Sequence, residues 1–294
     1  MDDQQKIEQE RVAFGSRFYS EEKQIIILTP NSCGGAGKVG GELLWQASQF
    51  FIAYVDRDSN ELFRVNDRVV WQITDEENKQ KTSKFNFQPL RMYKLKVRLS
   101  KPADEINSKH FVDLGLDLPN LNHRFMLLEI LSDEITDDRL QQVLNAYNTP
   151  VFIEDEQVGK LELNKDLDMY EGAISWLSQA VSAYIEGAEN AEEKVVQLKY
   201  LLDSAEEWDT KLRRFCAEKL TELANDWQQD DDESESLLPI TVESFIDKIS
   251  LKELTVSDDG EFTAYYDDGD MFWGHIIMAE GNTDGTLKNA NIAG

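Results

Sequence analysis

Three carboxylates fall within four positions at Asp267-Asp268-Gly269-Asp270, and an indole and an imidazole follow at Trp273 and His275. Clustered oxygen ligands suit a hard cation such as calcium, although this spacing departs from the twelve-residue EF-hand loop. Asp270 and His275 also make an acid/base pair if the chain folds the imidazole back toward the carboxylate. Turn chemistry is the plainer account: the aspartates bond their own backbone, and Phe272 and Trp273 pack on opposite faces of a following strand. Asp267, Asp268, Asp270, Trp273 and His275 are nevertheless the binding candidates. Three adjacent carboxylates repel one another, a cation or basic partner relieves that repulsion, and an indole beside charge is common anchor chemistry at interfaces.

The glycine-rich stretch Gly34-Gly35-Ala36-Gly37-Lys38-Val39-Gly40-Gly41 invites a phosphate-loop reading and fails it twice. Ser32 stands where the motif needs its first glycine, and Val39 replaces the hydroxyl that would ligate magnesium. Gly35, Gly37 and Gly40 satisfy dinucleotide spacing, but the fingerprint also needs a helix next, and Leu44 to Val55 reads as a strand. A loop between strands that binds no nucleotide is expected. His110, His123 and His275 share no metal-ligand spacing, and Gly-x-Ser-x-Gly is absent. Cys33 sits in the glycine loop without a recognisable His or Asn partner, and Cys216 lies on the apolar side of a helix. No catalytic residue, cofactor or metal is expected, and an enzymatic role is the less favoured reading.

These residues need elements to hold them. In the first half, Gln24 to Leu28, Leu44 to Val55, Glu61 to Ile73 and Phe125 to Leu131 read as strands, the middle two as a hairpin across Asp56 to Asn60. Tyr93, Leu95, Val97 and Leu99 alternate with Lys94, Lys96 and Arg98, a strand with one dry and one basic face. Thr136 is expected to cap a helix through Tyr147. The second half opens with short strands at Val151 to Ile153, Gly159 to Leu163, Tyr170 to Leu177 and Val181 to Glu186. Its period then changes to helical from Ala191 and again from Trp208, where Leu212, Cys216, Leu220, Leu223 and Trp227 mark a buried face. The acidic run within 228–236 reads as a loop and Thr241 as a helix cap. A β-meander closes the chain, with one strand expected over Met271 to Ala279. The fold class is α+β in two domains: a mostly-β N-terminal module over 1–150, and an acidic domain over 151–294 with a sheet, two to three helices and the meander.

Charge separates the halves. The chain has 294 residues and a net charge of −27, but 1–150 carry 19 basic and 23 acidic side chains against 11 and 34 in 151–294. The second half therefore holds −23 of the total. Such a field disfavours direct contact with a nucleic-acid backbone and favours a basic protein partner. No apolar run approaches the ~20 residues of a membrane span. The polar, acidic start and the two cysteines fit a cytoplasmic protein with no membrane partner.

A resemblance joins several of these residues. Glu243-Ser244-Phe245, Tyr266 to His275, Gly281-Asn282-Thr283-Asp284-Gly285 and Ala290 to Gly294, with upstream Tyr170-Glu171-Gly172, Trp208-Asp209 and Leu223 to Trp227, resemble a bacterial family known only as a domain of unknown function, the DUF2262 type. The likeness spans roughly 155–294; the first half resembles an uncharacterised module that accompanies such domains. It implies a bacterial cytoplasmic protein and supplies no catalytic residue. The favoured expectation is a non-enzymatic acidic interaction protein, by analogy an immunity-type binder of a basic toxin or nuclease. The alternatives are an enzyme built on Asp270 and His275 and a small-ligand or metal-binding module on the aspartate turn.

Overall fold

The computed structural model describes residues 3–32, 34–80, 85–106, 120–229 and 238–294. Cys33, His110 and the acidic run from Asp230 lie outside them. The protein is α+β. The chain divides into two compact units, 1–149 and 150–294.

The N-terminal unit is built on an eight-stranded sheet: β1 (Lys23–Leu28), β2 (Gly35–Gly37), β3 (Trp45–Phe51), β4 (Ala53–Asp56), β5 (Leu62–Phe63), β6 (Asp67–Ile73), β7 (Met92–Leu99) and β8 (Phe125–Ser132), in the order β2-β3-β6-β8-β7-β1-β4-β5. The expected hairpin forms with a bend. Its base pairs β3 with β6 and its tip pairs β4 with β5, while β4 also pairs with β1 at the far side of the sheet. One long hairpin thus reaches both sides of the sheet, ending it at β5 while β2 forms the other edge beside β3, and the sheet curls into a half-barrel. Ile25, Phe51, Tyr54, Trp71, Tyr93, Leu95, Val97 and Phe125 fill its inside. On the outside, helix α1 (Asp3–Ser16) covers Val70 and Met126 with Phe14, followed by Phe18, and a second helix covers Ile26, Leu28 and Val55 with Leu140. Both faces of β1 are therefore covered, which is why Ile25 to Leu28 read as an unbroken apolar run. Two short helices, α2 (Asp75–Gln80) and α3 (Ala103–Ile106), precede that second helix, α4 (Asp138–Asn148). Its cap is Asp137 rather than Thr136: the Asp137 carboxylate accepts from the Arg139 amide and also from its guanidinium, an additional anchor that Thr136 lacks.

The C-terminal unit holds a second eight-stranded sheet, made of β9 (Phe152–Asp155), β10 (Gly159–Asn164), β11 (Met169–Trp176), β12 (Gln179–Glu186), β13 (Ser250–Val256), β14 (Glu261–Asp267), β15 (Ile276–Asn282) and β16 (Leu287–Ala293). The strands lie in chain order, so two four-stranded meanders meet at one parallel pair, β12 with β13. The crossover between them carries α5 (Ala191–Asp203), α6 (Ala205–Gln229) and α7 (Val242–Lys248). Trp208, Leu212, Cys216 and Leu220 on α6 are buried in the common core, with Leu223 and Trp227 partly buried at its end.

The family landmarks mostly serve this packing. Gly172 lies so close to β10 that a Cβ there would come within 2.6 Å of the Lys160 carbonyl. Ser244 completes a capping box with Thr241, and Phe245 is fully buried. The Asn225 amide both donates to the Ile240 carbonyl and accepts from its N–H, at 2.8 and 2.9 Å, pinning the chain before α7. Tyr266 is fully buried with no hydrogen-bond partner for its hydroxyl among the described residues. An unpaired buried hydroxyl costs roughly 1–3 kcal/mol. Tyr266→Phe is therefore expected to stabilise the C-terminal unit by about 1 kcal/mol, read as a higher urea midpoint at unchanged slope.

Candidate functional site

The aspartate turn is not a tight turn leading into a strand. Strand β14 ends at Asp267 and β15 begins at Ile276, so the strand expected from Met271 is instead a loop over 268–275. The cause is Asp268. Its carboxylate is buried, with Oδ1 accepting from the Asp270 amide at 3.1 Å and Oδ2 from Phe272 at 2.7 Å and Gly274 at 3.1 Å. Three amides directed at one carboxylate wind the chain around it and remove them from the sheet ladder. Met271 and Phe272 turn into the core as a result. Gly269 has φ +57° and packs against Lys248, whose carbonyl would lie 2.8 Å from any Cβ at this position. Only glycine adopts that left-handed backbone freely in so tight a space.

The five candidates consequently separate. Asp268 is the loop's internal anchor and is not free for a ligand. Asp267 is exposed, accepts from the Gly269 amide and lies 3.8 Å from Lys252. Asp270 is exposed with φ +64°. The His275 ring is held by its own loop, its Nδ1 2.8 Å from the Phe272 carbonyl. A carbonyl can only accept, so Nδ1 carries the proton. The ring stands edge-on to Trp227 at 5.3 Å. No hydrogen bond joins Asp270 to His275 among the described residues.

Trp273 is the exception to inward packing. It is 61% exposed, at φ +56°, and its ring lies 4.8 Å from Trp227. Left-handed backbone is uncommon for a bulky residue and costs about 1–2 kcal/mol, so the loop holds this indole outward against a local penalty. Trp227 also meets Phe272 edge-on at 5.6 Å, and Phe272 meets Phe245 at 6.3 Å. A continuous aromatic stack thus runs from the core to the surface, and Ile276, 48% exposed, extends the apolar tip. The part played by Trp227 escapes a reading of the sequence because its helical spacing marks it only as core. Its partnership with Trp273 exists only in the folded chain.

Elsewhere the glycine stretch resolves into the edge strand β2, paired with β3, and Lys38 is 2.6 Å from Asp75. Among the described residues no group of three His, Cys, Asp or Glu side chains is placed to hold a metal ion, and no helix is long and apolar enough to cross a membrane. Cys216 is fully buried, and burial pushes its thiol up to about 12. It is therefore expected to stay unlabelled by maleimide at neutral pH until the protein is unfolded, as peptide mapping by mass spectrometry would show.

Fold and site together define an α+β protein whose second unit displays a pinned aromatic loop. Residues 155–292, in the C-terminal half, match the model of a family described as an uncharacterized protein conserved in bacteria (DUF2262). Residues 10–147 match a separate model described as a domain of unknown function (DUF7021). No curated protein and no solved structure matches the chain.

Proposed function

We propose that this chain is a non-enzymatic interaction protein whose C-terminal unit docks a basic protein surface through the Trp273 loop, the kind of surface a cationic toxin or nuclease presents. The observation that carries this reading is Trp273 itself. The other large apolar residues in the family landmarks from Tyr266 to His275 are used inward, whereas this indole is held outward on strained backbone. An exposed Trp over a rigid aromatic base has the properties of an interface hot spot, and strain at an exposed site points to use. The −23 charge of residues 151–294 supplies the complementary field, which accelerates encounter with a cationic partner and weakens with salt.

The test is retention of a stoichiometric partner by the untagged protein purified from its native host at low salt, repeated with Trp273→Ala. Truncating a hot-spot indole is expected to weaken binding by at least about thirtyfold, equivalent to ~2 kcal/mol, with an unchanged melting temperature. High salt should release the partner from the parent protein. Retention of no basic partner, a partner held equally by parent and variant, or one unaffected by salt overturns the proposal.

A further inference from the structure

The N-terminal unit contains a cleft of about 770 Å³ between α1 and the outer face of β3 and β6. That is within the size range of small-molecule sites. Cross-strand pairs form its floor: Gln46 opposite Gln72, and Phe50 opposite Arg68. The end of α1 supplies Phe14 and Arg17, and β2 closes the other side. Each guanidinium lies over an aromatic ring, Arg17 at 4.5 Å from Phe14 and Arg68 at 5.0 Å from Phe50.

The charges here are not balanced. Among the described residues, no carboxylate lies within ion-pair distance of Arg17 or Arg68, and the Nε of each is buried without a hydrogen-bond partner. Among the described residues the Arg17 guanidinium makes one hydrogen bond, from Nη2 to Gln46 Oε1 at 2.9 Å. The nearby acids are engaged: Glu10 accepts from the amides of Leu43 and Leu44, and Asp67 holds Arg124 at 3.1 Å. Glu42 also lines the cleft and attracts Arg17. Lys38, at the rim, is neutralised by Asp75. Burial lowers the pKa of both guanidiniums; Glu42 offsets this in part at Arg17 and Asp67 in part at Arg68, while Arg124 adds to it at both. Orphaned buried donors are costly, and a guanidinium fork matches a carboxylate or phosphate head.

The wall supplies an independent observation. Gly35 and Gly37 on β2 have open space where a Cβ would stand. Gly37 lies directly opposite Gln46, so its missing side chain belongs to the face that lines the cleft. Two bare positions on an edge strand leave the volume between the arginines and the wall unfilled.

We infer that this cleft binds a small organic oxyanion, its acidic head between Arg17 and Arg68 and its apolar body against Phe14 and Phe50. The inference is independent of the Trp273 loop, which lies in the other unit.

Calorimetry and thermal-shift measurements on the full chain test it, with phenyl phosphate and benzoate as complete probes and inorganic phosphate as the head alone. Saturable binding at one site is expected for phenyl phosphate or benzoate, whichever head the site prefers, with inorganic phosphate at least about tenfold weaker for lack of the apolar body. Arg68→Met should weaken that binding at least about tenfold while raising the melting temperature of the free protein, because it removes one of two unneutralised charges. Gly37→Val fills the wall without touching either arginine. It should abolish binding of the complete probes and leave the free protein's melting temperature unchanged. No saturable binding of any probe at matched ionic strength, or binding that survives both substitutions, overturns the inference.

Discussion

Asp268→Ala is expected to destabilise the C-terminal unit by about 3 kcal/mol, whereas Asp267→Asn and Asp270→Asn should each stay within about 0.5 kcal/mol. All three residues belong to one acidic turn, yet only Asp268 is buried, and its two oxygens accept from three backbone amides. Hydrogen bonds to an ionised acceptor contribute roughly 1.5–3 kcal/mol each and do not add fully, because one loop relaxes as a whole. Asp268→Asn should fall between the extremes at about 2 kcal/mol, since an amide offers one acceptor where the carboxylate offers two. Urea denaturation followed by tryptophan emission reads both consequences. The midpoint falls, and emission shifts to the red as Trp273 leaves Trp227. An Asp268→Ala variant as stable as the parent would show that the loop holds its shape without this anchor.

Asp209→Ala should cost a similar amount, about 3 kcal/mol, through a different network. On α6 the Asp209 carboxylate accepts from Trp176 Nε1 at 3.2 Å and from Arg213 Nε at 2.6 Å. Arg213 in turn donates to the carbonyls of Ile246 and Ile249 at the end of α7. One side chain thus links the sheet, the long helix and the last helix. Removing it leaves the mostly buried Arg213 guanidinium without its counter-ion and the Trp176 indole N–H without an acceptor, which costs more than the pair contributed. Asp209→Asn retains an acceptor for the indole and should lose about half as much. Thermal unfolding of both variants separates these outcomes, and equal losses would mean that the acceptor kept by Asn contributes nothing and that the whole loss is that of the charge.

Where a residue's role follows from its own neighbours in sequence, the chain is readable. Alternation from Tyr93 to Leu99 gives β7 with its buried and basic faces, and the spacing from Trp208 to Leu220 gives the buried face of α6. Thr241 caps α7 as its position suggests. Where a role depends on a distant partner, local pattern misleads. Met271 to Ala279 has the composition of a strand, but the three amides bound by Asp268 turn its first half into a loop. Helix α1 carries little amphipathic signal because it buries chiefly Phe14, so its place on the sheet follows from the matching patch at Val70 and Met126. Leu44 to Val55 reads as one strand since its bend at Ile52 is imposed by β1, whose Leu28 carbonyl accepts from the Ile52 amide. The site candidates follow the same division: the sequence locates the cluster, and only the packed helix end at Trp227 distinguishes the outward indole from the inward carboxylate.

The single parallel seam in the C-terminal sheet also bears on how that unit forms in time. Every other pairing joins strands that are neighbours along the chain, so each meander can zip from its own turns with little loop-closure entropy. The seam, Ser182 to Ile185 against Glu253 to Val256, must wait for everything from Gly187 to Ile249 to be gathered in, and closing so long a segment is the costly step. That places the kinetic bottleneck on the three crossover helices. Asp209 and Arg213 lie on them, and the same contacts that fasten the finished fold also shorten the search for it.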